Sequence, residues 1–262
     1  MFDIHYHLIF GVDDGPKSIE ESLELAETSI AEGVTHIVAT PHASYRYPYK
    51  LDVNRERLAM LNDRLAGRLT LGLGCDFHLS YDNLNELEKD RRKFTINGSN
   101  YLLVEFPDLV NVELYAQVLF KIMNLGLTPI ITHPERNPSL LDSPDPIIDW
   151  VYSGCLIQIT AAALTGRFGS RPAQLARLLL KGNYVHIIAS DAHNTNGRSP
   201  AMGEAFAAVK RDFGGETAER LCIHNPRAIF FNEPLGVQPD PTGHLSERKS
   251  PPKKGFLRGI FG

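Results

Sequence analysis

Short apolar runs recur along the chain, and each is followed by a stretch with helical spacing. FDIHYHLI reads as a first strand. SIEESLELAETSIAEG follows, with Ile19, Leu23, Ala26 and Ile30 repeating at three or four residues. Ser18 and Glu21 form a capping box at its start, and Gly33 suits a C-terminal stop. HIVATPH is the next strand and a helix over 52–66 follows it. TLGLGCDFHL, YLLVEFP, TPIITHP, CLIQIT and VHIIASDAH continue the strand series. Between them lie the short helix LNELEK and helical stretches near 112–125, 144–153, 171–182 and 201–213.

This alternation predicts parallel strands joined by helical crossovers. Seven such units favour an α/β fold closed into a TIM-like barrel, with an open doubly wound sheet as the alternative. The expected domain covers 1–235. Residues 236–262 are rich in Pro, Gly and charge and read as a flexible tail. Its end is basic, with Arg248, Lys249, Lys253, Lys254 and Arg258 among Phe256, Leu257, Ile260 and Phe261. A solvated tail is the plain reading. A weak contact with an anionic membrane surface is the sharper one.

Composition narrows the function classes. A net charge of −4 over 262 residues gives no electrostatic case for nucleic-acid binding. Cys75, Cys155 and Cys222 are unclustered, so no disulfide framework or zinc knuckle is implied, and a reducing cytoplasm is the expected compartment. No apolar run reaches the ~20 residues of a membrane span, and no signal peptide is expected.

The chemistry lies at the strand ends. Five of the ten histidines, His5, His7, His42, His133 and His193, sit at or just past the C-terminal end of an expected strand. Asp76, Glu105 and Asp191 join them, and Asp14 follows the first strand. In a parallel barrel all strands end on the face that carries the active site. Alternate residues share a strand face, so His5 pairs with His7 and Asp191 with His193. Imidazoles with carboxylates suit Mn, Fe, Co or Zn. Nine side chains exceed one four-coordinate site and suit two or three ions, which would activate a water for in-line displacement at phosphorus. Arg136 and Arg198, on the loops after His133 and His193, are placed to grip a phosphate dianion. His36, His186, His224 and His244 fall outside this face. His78 is at most an outer contact, and Asp13 suits a turn or an outer contact.

A thiol route does not fit. Cysteine phosphatases of the common kind place arginine six residues after the nucleophile, where this chain has Tyr81, Ala161 and Ala228.

The segments HYHLIFGVDDG, ATPH, HPERN and SDAHNTNGRSP resemble the polymerase-and-histidinol-phosphatase (PHP) superfamily, and within it the bacterial capsule-locus tyrosine-phosphatase branch. The resemblance spans residues 1 to about 235. It implies a distorted barrel of seven strands and a site for three ions, with manganese foremost. The first ion would be held by His5, His7, Asp76 and Asp191. Asp76 would bridge to a second, held with Glu105 and His133. Asp14, His42 and His193 would hold the third, and Arg136 and Arg198 would bind phosphate. The implied substrate is the phosphotyrosine-rich C-terminal tail of a bacterial tyrosine kinase that controls polysaccharide synthesis. The rivals are a small-molecule phosphatase, such as one for histidinol phosphate, and a non-catalytic module that binds the kinase tail. One departure stands out: the bridging residue is commonly glutamate, and here it is Asp76, one methylene shorter.

Overall fold

The computed structural model describes residues 1–108 and 112–245. Among the described residues nine strands form two parallel sheets. The three-stranded sheet has the order β1 (Phe2–Tyr6), β2 (His36–Ala39), β4 (Thr70–Leu73). The six-stranded sheet runs β3 (His42–Ala43), β5 (Asp76–His78), β6 (Tyr101–Glu105), β7 (Thr128–Thr132), β8 (Leu156–Thr160), β9 (Ile187–Ala189).

The expected single ladder of seven strands is therefore split, and two strands come in two pieces. Thr40 and Pro41 separate β2 from β3, and Gly74 and Cys75 separate β4 from β5. Pro41 has no N–H to give the ladder. Hydrogen bonds still cross these joints, from Gly74 N–H to Ala39 C=O at 2.9 Å and from Asp76 N–H to Pro41 C=O at 3.2 Å. At the other side, β1 meets the end of β9. Asp191 N–H donates to His5 C=O, and His7 N–H to Ala192 C=O, both at 2.9 Å.

Helices connect the strands: α1 (Ile19–Ala31), α2 (Leu51–Leu65), α3 (Tyr81–Lys89), α4 (Val112–Asn124), α5 (Pro138–Asp142) and α6 (Pro146–Tyr152). After β8 come α7 (Ala161–Leu164) and α8 (Ser170–Lys181); α9 (Met202–Phe213), α10 (Gly215–Glu219) and α11 (Asn225–Phe230) follow β9. Ser18 Oγ caps α1 by accepting from Glu21 N–H at 3.3 Å. Glu21 reaches back one residue further than the capping box predicts and accepts from Lys17 N–H at 2.7 Å.

Strands buried on both faces make two cores. Ile37, Ala39, Leu102, Val104, Ile131, Ile157, Ile159 and Ile188 belong to the large core that includes helix residues such as Leu25, Leu61 and Leu179. Phe2, Ile4, Val38, Leu103, Ile130, Ile187 and Ala189 form a smaller core with Ile229 and Phe230 of α11.

Residues 236–245, at the start of the expected tail, run along the body. Thr242 N–H donates to Gly182 C=O at 2.8 Å, Tyr184 Oη donates to Gly243 C=O at 2.9 Å, and Leu245 is buried. The basic stretch from Arg248 to Arg258 lies outside the described residues. Among the described residues no helix is long and apolar enough to cross a membrane.

Candidate metal centre

The nine side chains singled out by sequence come from the end of β1 and the turn after it, the first residues of β3 and β5, the end of β6, the residue just past β7 and the segment after β9. Several converge into clusters whose donor atoms lie within 4.8 Å of one another: His7, Asp14, His42 and His193; His5, His7 and Asp76; His42, Asp76 and Glu105. These groups overlap and cut across the three sets that the resemblance implies. His7 stands with Asp14, His42 and His193 as well as with His5 and Asp76. His133 stands at the edge, its Nε2 3.7 Å from Glu105 Oε1. Asp191 presents Oδ1 at 3.4 Å from His5 Nε2 and 3.3 Å from His7 Nε2.

Backbone geometry sets two of these groups. His133 has φ 34° and Asp191 φ 53°, both in the left-handed region that non-glycine residues rarely occupy. Such conformations persist where the surroundings over-determine them, and functional sites are where they gather. His133 N–H is held by Gln158 C=O at 2.8 Å, and Asp191 N–H by His5 C=O at 2.9 Å.

Hydrogen bonds orient the imidazoles. His5 Nδ1 donates to Gln158 Oε1 at 2.8 Å. His7 Nδ1 donates to Asp13 Oδ2 at 2.7 Å, and His193 Nδ1 to the Asp191 carbonyl at 2.9 Å. In each ring Nε2 is left to face the cluster, the arrangement that metal-ligating histidines use. Asp13 also accepts from Gly15 N–H at 2.9 Å and from His42 N–H at 3.2 Å.

Metal fit can be judged from the buried polar atoms. Nε2 of His5, His7 and His193, Nδ1 of His42, both oxygens of Asp76 and Oδ1 of Asp191 are buried without a hydrogen-bond partner. Uncompensated polar burial is costly, and here the partnerless atoms point at one another. They are the hard-to-intermediate donors that divalent cations take. The charges agree. Burial opposes a charge on His42, yet Asp14 and Asp76 lift it to about 11. Burial likewise opposes a charge on His5, and Asp76 and Asp191 raise it to about 9. Glu105 is pushed up to about 8, by burial first and then by Asp76. The raised imidazoles show that the surrounding carboxylates favour positive charge at these positions. The shorter Asp76 still spans two rings, with Oδ2 at 3.0 Å from His42 Nδ1 and 3.6 Å from His5 Nε2.

Both arginines reach the cluster. Arg136 and Arg198 donate to the same oxygen, Asp191 Oδ2, with Arg198 Nη2 at 2.6 Å. Arg198 Nη1 also lies 3.4 Å from Asp14 Oδ2. The Arg136 guanidinium lies over the Phe168 ring, 4.5 Å from its centroid. A cavity of about 110 Å³ opens beside Glu105, His133 and Arg136. A larger cleft of about 550 Å³, between α2 and residues 90–98, holds none of the donor groups.

His186 and His36 stand apart from the cluster. His186 is buried with Nδ1 accepting from Ile157 N–H at 3.1 Å. His36 stacks on Phe2 with centroids 4.1 Å apart. The cysteines are buried and inert: burial drives Cys75 well up and pushes Cys155 and Cys222 up to about 12. None supplies a thiolate near neutral pH. Sequence reasoning missed Gln158. Its signal was one amide inside the buried apolar strand CLIQIT, where a polar side chain needs a partner.

A parallel α/β scaffold with these donors at its strand ends defines a metal-dependent hydrolase. The family model for capsular polysaccharide synthesis, CpsB/CapC, matches residues 1–231, and the chain belongs to that family. The chain is 34% identical over 254 residues to the putative tyrosine-protein phosphatase CapC of Staphylococcus aureus, covering 95% of this chain and 98% of that one. Tyrosine-protein phosphatase YwqE of Bacillus subtilis is 32% identical, with both chains covered completely. A crystal structure from work on YwqE and Streptococcus pneumoniae CpsB, described as unique metal-dependent tyrosine phosphatases, superposes with TM-score 0.84 at 31% identity. It covers 93% of this chain and 100% of that one. A β-aspartyl dipeptidase of Fervidobacterium islandicum shares the fold alone, with TM-score 0.58 at 14% identity over 88% of this chain and 74% of that one.

Proposed function

We propose that this chain is a metal-dependent protein-tyrosine phosphatase, a phosphoric monoester hydrolase acting in the cytoplasm on the phosphotyrosine-bearing C-terminal tail of a bacterial tyrosine kinase that regulates capsular or exopolysaccharide synthesis. The observation that carries the reading is the convergence of partnerless buried donor atoms beside two guanidinium groups. Divalent ions, three in this reading with manganese foremost, supply Lewis-acid charge and an activated water for in-line attack on phosphorus. The residues that would hold them are His5, His7, Asp14, His42, Asp76, Glu105, His133, Asp191 and His193. Gln158 and Asp13 keep the His5 and His7 rings turned to the site. Arg136 and Arg198 bind the phosphoryl oxygens and offset their charge. Tyrosinate leaves readily because its conjugate acid has a pKa of about 10, so little help from a general acid is needed. We read the two sheets as one distorted barrel of seven strands, supported by the hydrogen bonds between β1 and the end of β9.

The test compares rates on a phosphotyrosine peptide and on histidinol phosphate after chelation and return of Mn²⁺. Faster release from the peptide is expected. Preference for histidinol phosphate moves the chain to small-molecule chemistry, and inertness toward p-nitrophenyl phosphate with every divalent metal leaves a binding module. The triple variant Cys75→Ala, Cys155→Ala, Cys222→Ala is expected to keep its rate per folded molecule within about twofold, since no thiol takes part.

A further inference from the structure

Directly after β3 the chain makes a tight turn through Ser44, Tyr45, Arg46 and Tyr47. Ser44 N–H donates to Tyr47 C=O at 3.0 Å, and Tyr47 N–H donates to Ser44 Oγ at 3.2 Å, so the turn is closed from both ends. It holds the Tyr47 ring near that of His42, with planes 14° apart and centroids 5.9 Å apart. His42 is itself one of the converging donors, with Nε2 at 3.3 Å from Asp14 Oδ1 and its side chain 15% exposed. Tyr47 is half-buried at the rim of this cluster, and the Arg46 guanidinium carbon lies 5.3 Å from its ring centroid. Tyr45 is fully exposed beside it. Neither ring contributes to the two cores, so packing of the fold does not account for them.

The structure assigns Tyr47 as a specificity-determining residue that packs against the aromatic ring of the phosphoester substrate. The assignment rests on the phosphatase reading and adds the aryl subsite to it. A phosphoryl group drawn to the donor cluster directs its ester substituent toward the rim. An aryl ring there finds the face or edge of Tyr47 within the 4.5–7 Å at which aromatic pairs attract, and the Arg46 guanidinium adds a cation to the same surface. An alkyl substituent gains neither contact. The pairing of Tyr47 with His42 fixes where that surface stands relative to the donors.

Calorimetric titration of the Mn²⁺-loaded full chain with phenylphosphonate and methylphosphonate tests this without any bond breaking. Wild type is expected to favour phenylphosphonate. Tyr47→Leu should weaken phenylphosphonate about three- to tenfold, the worth of one aromatic pair, and leave methylphosphonate within twofold. Tyr47→Phe should keep the preference. Equal binding of the two phosphonates by wild type, an unchanged preference in Tyr47→Leu, or equal loss of both ligands would overturn the assignment; the last would make Tyr47 a prop for His42. Failure of the phosphatase reading shows separately, as absence of phosphate release from a phosphotyrosine peptide by wild type with Mn²⁺.

Discussion

Asp191 divides its two oxygens between two tasks. Oδ1 faces the Nε2 atoms of His5 and His7, while Oδ2 collects Arg136 and Arg198. Burial alone would raise its carboxyl, yet His5 and the two guanidinium groups hold it well below the usual carboxylate range. It therefore stays ionised and fixes the arginines at a set distance from the imidazoles. Lysine copies this poorly, because its ammonium is a compact point charge without the planar guanidinium fork. Arg198→Lys should lower kcat/KM on a phosphotyrosine peptide about 10- to 100-fold, in line with ~1.5–3 kcal/mol for a hydrogen bond to a charged group. Asp13 acts one step further out. Burial opposes its ionisation, but His7 brings its carboxyl down to about 2, so it accepts firmly from His7 Nδ1. In Asp13→Asn that charge is lost, and Mn²⁺ affinity should fall about 10- to 100-fold by titration. The acidic pair DDG was legible as two unlike aspartates. Structure sharpens the difference: Asp14 faces His42 and His193, and Asp13 stands behind His7.

At the scale of elements, strand period explains most of what the sequence could reveal. On β2 and the residues after it, Val38, Thr40 and His42 alternate with Ile37 and Ala39, and the first strand piece leads straight to a donor. Gly72, Gly74 and Asp76 alternate in the same way. β1 breaks the rule. Phe2 and Ile4 enter the small core while Tyr6 and Leu8 enter the large one, so the chain changes sides within a single strand. Its pairing with β2 shifts register between Asp3 and Tyr6. An irregularity of this kind re-aims side chains, and here it lets His5 follow an apolar inward run. Periodicity could not reveal it, because it depends on a partner strand distant in sequence. The left-handed residues His133 and Asp191 escaped for the same reason. Gly74 marks the crowded side of the sheet. A Cβ placed there would stand 3.1 Å from Val38 Cγ1 and 3.3 Å from both Ile96 Cγ1 and Thr40 Cγ2. Thr40 has little room to give, since its Oγ1 accepts from Tyr6 N–H at 2.9 Å. Gly74→Ala should therefore cost about 1–3 kcal/mol in urea unfolding and weaken Mn²⁺ binding by shifting Asp76, two residues on.

Across the whole molecule, the donors come from both sheets. His5 and His7 extend from β1 of the three-stranded sheet, whereas His42, Asp76, Glu105 and His133 belong to strands of the six-stranded sheet or to the residue just past one. The sequence made the convergence legible, because parallel strands must end on one face. It did not show that the scaffold divides there, since the breaks at Pro41 and Gly74 look like ordinary strand residues until pairing is seen. A cation held by His5, His7 and Asp76 would tie one sheet to the other. Binding confined to the folded state adds RT ln(1 + [L]/Kd), which is about 2.7 kcal/mol for an ion at a hundred times its Kd. For a chain of this size each kcal/mol moves the melting midpoint by roughly 2–4 °C. Saturating Mn²⁺ should raise Tm by about 5–10 °C over chelated protein, read by differential scanning fluorimetry. Ions that serve only exposed acidic groups would leave Tm unmoved. In His5→Ala the gain should shrink, because one of the two donors on the smaller sheet is gone while those on the larger sheet persist. An undiminished gain in that variant would mean that the ions do not join the sheets through His5.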